Sequence, residues 1–413
     1  MYLTQEIPGI GGIIRERPED FLVEEQPLFH PSGNGEHIFL FIQKKEMTTG
    51  DMVDFLAKHF RAPKQAIGVA GQKDKFAITR QHVSLHIPKK TIADFPMIQH
   101  PQVSVLWADR HNSKLRTGQL EGNRFSIKIR SVAPTSVLAV DKIVKKLAQH
   151  GVPNRFGPQR FGMTGANHIV GKHLVLAQAP EAIKALLATY PGLGDQQTTA
   201  RALFEQGKYA EAAAALKGWG AEKTVLMAIS KNVKAAEAIR RIDARDLKMY
   251  LNAWQSAIFN DVLDRRIQAQ TLGTLHDGDV AIKHANDAVF AVDETVAQDP
   301  VTAQRLANWE ISPSGPMWAS GMLRAKGETD SSERTALEAT GVTLEDLTLY
   351  AKRPLEGMAG ERRPLRVRMK DPEFEGGVDE HGAFVRVAFD LPSGAFATSV
   401  LAEIMKTETK PAG

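Results

Sequence analysis

The chain has 413 residues, room for two domains or three, and 43% of them are hydrophobic against 24% charged, enough apolar material for real cores. It contains no cysteine, which excludes thiol nucleophiles, thiolate zinc sites, iron–sulfur clusters and disulfides together. With 52 Lys and Arg against 48 Asp and Glu the net charge is only +4, so any nucleic-acid surface has to come from local clustering.

The N-terminal stretch MYLTQEIPGIGGIIRERPEDF lacks the apolar core of a secretory signal. No run approaches ~18 apolar residues, so a soluble, cytoplasmic protein is expected. Gly9-Ile10-Gly11-Gly12 reads as a turn, and residues 14–25 as a strand-like segment interrupted by a Pro-Glu-Asp-Phe turn. The apolar run HIFLFI (37–42) predicts a buried strand. Thr48 and Asp51 then form a capping box for a helix carrying Met52, Val53, Leu56 and Phe60. Residues 83–87 alternate as a half-buried strand, and VSVLW (103–107) suggests another. In 123–130, Asn123, Phe125, Ile127 and Ile129 point one way and Arg124, Ser126, Lys128 and Arg130 the other. A helix with Val137, Val140, Val144 and Leu147 on one face should stop at Gly151. Residues 180–268 are Ala-rich and read as helices; ALFEQGKYAEAAAALKGW (202–219) is a helical hairpin, since no second copy follows at a repeat period. HDGD (276–279) and SPSGP (312–316) read as turns, and FVRVAFDL (384–391) as a strand before a last helix near 397–406. Strands at both ends with helices between suggest one domain interrupted by another.

Common catalytic motifs are missing: there is no GxxxxGK[ST], HExxH or GxSxG. His82 and His86 lack a third ligand, and Asp277 and Asp279 fit turn chemistry. Three segments remain: IRERPEDFLVEE (14–25), AGQKDKFAITRQ (70–81) and HNSKLRTGQLEGNRF (111–125). Each alone could be a solvated loop. Together they supply a carboxylate, Asp74, between Lys73 and Lys75, a base-stacking aromatic on a strand, and an amide two residues before it that can read a base edge. Neighbouring cations would hold the carboxylate in its charged, nucleophilic form.

These three blocks, with VPNRFGPQRFG (152–162), YLNAWQSAIFND (250–261) and FDLPSGAFATSVLAEI (389–404) in the same order, resemble the TruD family of tRNA pseudouridine synthases. The resemblance implies an α+β fold: a pseudouridine-synthase catalytic domain with an antiparallel sheet and flanking helices, at 1–150 and 365–413, interrupted by a largely helical family-specific (TRUD) domain at 151–364. It implies Asp74 as the catalytic residue and Phe21, Asn123, Phe125 and Phe396 as substrate contacts. Arg15 stands where the family places a basic residue near the aspartate, usually Lys. The implied activity is that of an isomerase, an intramolecular transferase forming pseudouridine at position 13 of tRNA, in the D arm, with no cofactor and no metal. tRNA is the expected partner, no membrane is expected, and the chain is expected to be a monomer. The rival readings are a non-catalytic RNA-binding protein or RNA chaperone on the same scaffold, a uridine methyltransferase, which would want a Cys, and a nucleoside hydrolase, which would want paired carboxylates. Basic residues at 110–130 and 362–370 are the expected tRNA surface.

Overall fold

The computed structural model describes residues 1–190, 192–352 and 356–407; the last six residues of the span expected to end at 413 lie outside them. The described chain divides into two compact units, one of Tyr2–Val152 with Val367–Thr407, the other of Met1 with Pro153–Arg366.

The first unit is built on a sheet of eight strands: β1 (Phe21–Pro27), β2 (His37–Lys45), β3 (Ile67–Val69), β4 (Ile78–His86), β5 (Val103–His111), β6 (Leu120–Arg130), β7 (Lys370–Asp379) and β8 (Gly382–Pro392). Seven follow the order β7-β8-β6-β1-β4-β2-β5, with β3 added to β4. β1 and β4 run parallel, and the other pairs are antiparallel. The alternation foreseen in β6 is present, and Phe125, Ile127 and Ile129 are buried. They form one core with Val385 and Val387 of β8, with Val140, Ile143 and Leu147 of helix α2 (Val137–His150), and with Val400, Leu401 and Ile404 of helix α3 (Ala397–Met405). A second core joins Ile38, Leu40, Ile42, Val83 and Leu85 to Met52 and Leu56 of helix α1 (Thr49–His59). Each such side chain contributes about 1.5–3 kcal/mol by leaving water.

The helix ends follow the local chemistry. Asp51 N donates to Thr48 Oγ1 at 3.0 Å, capping α1. α2 stops at Gly151, whose φ of +93° a side chain would strain. Arg130, at the end of β6, is buried between two carboxylates. Its Nε and Nη2 donate to Asp20 at 2.8 and 2.6 Å, and its Nη1 donates to Asp379 at 2.6 Å. This clamp fixes the short turn Pro18–Asp20 that leads into β1.

In the second unit, helices from Asn167 onward culminate in the long helix Ala244–Gln268. It packs so closely on the helix Asn167–Val175 that a Cβ on Gly171 would meet Tyr250 O at 2.1 Å. A small antiparallel sheet joins Val280–Lys283, Val289–Ala291, Ile311–Met317 and Glu361–Pro364.

Three expectations change, and one strand, β7, was not foreseen. Residues 312–316 are a buried strand, not a turn. Pro313 tolerates the ladder because its carbonyl still accepts from Leu365 N at 2.9 Å, and Gly315 is demanded by Phe259 and Leu365, each 2.9 Å from where its Cβ would be. β4 is buried on both faces over Gln81–Leu85, because the 112–117 loop covers it and Leu115 N donates to Ser84 Oγ at 2.9 Å. β7, rich in Glu and Gly, carries no apolar alternation and is held by its register with β8. Finally, the basic stretch at 362–370 is largely interior. Arg362 pairs with Glu333, both almost fully buried, at 2.7 Å. The Arg363 guanidinium lies 4.2 Å above the Phe156 ring, and that of Arg366 lies 4.3 Å above the Trp309 ring.

Candidate active site

Asp74 sits in the loop between β3 and β4, which is fastened from below at three points. Lys73 N donates to Thr49 Oγ1 of α1 at 2.9 Å. Lys73 Nζ donates to Glu25 Oε2 of β1 at 2.8 Å. Lys44 Nζ of β2 donates to the Asp74 carbonyl at 3.0 Å and the Met47 carbonyl at 2.6 Å. Lys44 is fully buried, and that burial pushes it down to about 8, against the upward pull of Asp74. Burial works to raise Glu25, but the hydrogen bond from the His82 ring and the Lys73 ammonium outweigh it and hold the carboxyl below its ordinary range. Glu25 also accepts from His82 N at 3.0 Å.

The Asp74 carboxylate stands above this base and is 42% exposed. Arg15 Nη2 reaches its Oδ2 at 2.6 Å. Two features aim that guanidinium. Arg15 has a left-handed backbone, φ +61°, and its guanidinium carbon lies 4.6 Å above the Phe21 ring. A left-handed arginine is costly, about 1–3 kcal/mol, and is kept only where its surroundings fix it. The stack on Phe21 and the ion pair do so.

The strand register joins this corner to the remaining candidates. Glu25 faces Asn123 across β1 and β6, and Val23 faces Phe125. On the other side of β6, Asn123 faces Leu391 and Phe125 faces Phe389. Asn123 is partly exposed, yet its Oδ1 is buried with no hydrogen-bond partner among the described residues. Thr79 Oγ1, on β4 with β1 between it and β6, is in the same condition. His37 Nδ1 and His111 Nδ1 of the same sheet are unpartnered too, although such buried atoms are normally satisfied. Phe396 is half-buried at the N-cap of α3, five residues beyond Leu391.

Phe21 and Phe125 are 1% and 8% exposed and belong to the core, Phe125 with its ring centroid 5.7 Å from that of Phe389. Lys73 is committed to Glu25 rather than to the aspartate beside it, and Lys75 lies over the Phe76 ring at 5.4 Å. Arg15 is the cation that touches the carboxylate. Sequence reasoning does not single out Glu25, Lys44 or Thr49. For Glu25 a signal is available: Phe21, Val23 and Glu25 share one strand phase, so a carboxylate is due to be buried there. Among the described residues no group of three His, Asp or Glu could hold a metal ion, and no helix is long and apolar enough to cross a membrane.

The geometry defines an α+β protein in which an exposed carboxylate, Asp74, paired with Arg15, is anchored through Glu25 to the antiparallel strands that carry Asn123 and Phe125. Residues 1–404 match the family described as tRNA pseudouridine synthase D (TruD), and the chain belongs to that family. It is 39% identical to a tRNA pseudouridine synthase D of Geobacter sulfurreducens over 408 residues, covering 98% of this chain and 96% of that one. It is 35% identical to the protein of the same name from Thermus thermophilus, over 98% of this chain and 92% of the relative. A crystal structure described as that of the putative tRNA pseudouridine synthase D (TruD) from Methanosarcina mazei superposes with a TM-score of 0.86 at 26% identity, over 99% of this chain and 96% of the other.

Proposed function

We propose that the protein is a tRNA pseudouridine synthase that isomerises a uridine in the D arm, at position 13, with Asp74 as its catalytic residue. The observation that carries this reading is the Arg15–Asp74 pair at 2.6 Å, held on a loop whose three anchors are buried. The target base must leave its stack to reach that carboxylate. The C1′–N1 bond breaks, the uracil turns, C1′ joins C5, and the proton leaving C5 is balanced by one gained at N1. Asp74 serves as nucleophile at C1′ or at C6, or assists at C2′. Arg15 pairs with it and aims it. The unpartnered Asn123 Oδ1 would accept from the uracil edge. Phe396, half-buried, would stack the base, while Phe21 and Phe125 form the rigid support beneath Arg15 and Asn123. In this reading the unit Tyr2–Val152 with Val367–Thr407 is the catalytic domain and Pro153–Arg366 an inserted one.

The test is pseudouridine mapping of tRNA after incubation with the wild type or with Asp74→Asn. One new pseudouridine in the D arm with the wild type and none with the variant is expected. Residual product from Asp74→Asn removes that residue from its role. tRNA binding by the wild type with no product anywhere would favour the non-catalytic RNA-binding reading.

A further inference from the structure

Trp219 is 81% exposed, whereas Trp254 and Trp318 are each at 1%. It lies in the loop Lys217-Gly218-Trp219-Gly220 between the helices Tyr209–Ala215 and Ala221–Ile229. Gly218 has a φ of +76° and open space where a Cβ would stand, so the loop lifts the indole off its own unit. Lys223 Nζ stays 5.9 Å from the ring centroid, held by the Leu216 carbonyl at 2.9 Å.

The charge around it is lopsided. Residues 206–241 contain seven Lys and Arg against three Glu, an excess as large as that of the whole chain. Two of the glutamates are already engaged, Glu222 with Arg201 at 3.7 Å and Glu237 with Arg241 at 3.5 Å. Lys208, Lys217, Lys231 and Lys234 make no ion pair among the described residues. An apolar partner would leave these ammonium groups without anions. A polyanion with flat, unpaired rings satisfies both the lysines and the indole.

We propose that Trp219 stacks on an unpaired base of the tRNA, with the surrounding lysines on its phosphates. The identity of the RNA rests on the function proposed above. Trp219 is not among the residues that touch Asp74, so the loss on removing the ring falls on KM rather than on kcat.

The test has two arms. Acrylamide quenching of tryptophan fluorescence, taken as the difference between wild type and Trp219→Phe, reads the indole directly. Strong quenching of free enzyme and protection by saturating tRNA are expected. No protection, or equal protection by heparin, would mean bulk charge only and overturns the stack. In steady-state pseudouridine formation, Trp219→Ala should raise KM by about 5- to 150-fold and Trp219→Phe much less. An unchanged KM overturns the proposal, as does a fall of several degrees in the Tm of Trp219→Ala, which would show the ring packed within its own unit. If the wild type formed no pseudouridine, the catalytic reading would fall while the fluorescence arm still decided this one.

Discussion

Replacing Glu25 by Gln tests how the Asp74 loop is held. Gln keeps the volume and one oxygen for His82 N, but it cannot accept from Lys73 as a charged partner. Lys73 and Glu25 are 4% and 1% exposed, so the ammonium would be left in the interior without an anion. Breaking such a pair from one side costs about 3–5 kcal/mol. For a unit of this size, at about 2–4 °C per kcal/mol, Tm should drop by roughly 10 °C. Urea unfolding at neutral pH gives the same quantity from the midpoint at constant slope. Because Lys73 precedes Asp74, a shift of the loop by about 1 Å should also lower kcat about a hundredfold. Glu25→Gln combined with Lys73→Met should recover part of the stability, since the second change removes the stranded charge. A loss below about 1 kcal/mol, or strictly additive single effects, would refute the claim that this pair anchors the loop.

Asp74→Asn should keep Tm within about 2–3 °C of wild type while abolishing product, because an ion pair this exposed contributes only about 0–1 kcal/mol; a large fall in Tm would make Asp74 a structural residue. Phe125→Ala should cost about 3–5 kcal/mol because the ring is buried against Phe389, so activity loss in that variant cannot be separated from stability. Phe125→Leu keeps most of the volume and is the variant in which a kinetic effect reads the ring. Stability should fall as pH drops below 4.5, the ordinary value for Glu25. The folded carboxyl titrates lower, so just below that pH the unfolded chain binds more protons, and the contribution present above 4.5 is lost on passing through the folded pKa. Glu25→Gln should flatten that limb in Tm measured against pH. tRNA affinity should weaken steeply with salt; a flat dependence would argue against phosphate contacts.

The strands and helices with a clear period were legible: β2, β6, α1 and α2 follow from their apolar spacing and caps. β7 was not, because its face is solvated and its partner, β8, supplies the pairing. The strand 311–317 was hidden by prolines and a glycine that local chemistry assigns to turns, although packing against Phe259 and Leu365 requires Gly315. At the site, Asp74 and Arg15 came from the family resemblance, and their contact at 2.6 Å is a matter of tertiary geometry. Lys73 shows the limit best. Its sequence neighbour is Asp74, yet its partner lies 48 residues away on β1. The arginines of 362–366 looked like a surface for the same reason: composition records charge, not the glutamate or ring that covers it.

β8 lies between β7 and β6, and its Leu391 and Phe389 are the neighbours of Asn123 and Phe125. Those strands are separated by some 250 positions along the chain. During translation the ribosome therefore delivers Asp74, Arg15 and Asn123 long before the strand that completes their wall. Until then β6 presents an open edge able to pair with another polypeptide. A nascent chain stalled anywhere in the middle should be both inactive and adhesive, and protection from exchange of the β6 amides that face β8, unlike those that face β1, should arise only after residue 392 has left the exit tunnel.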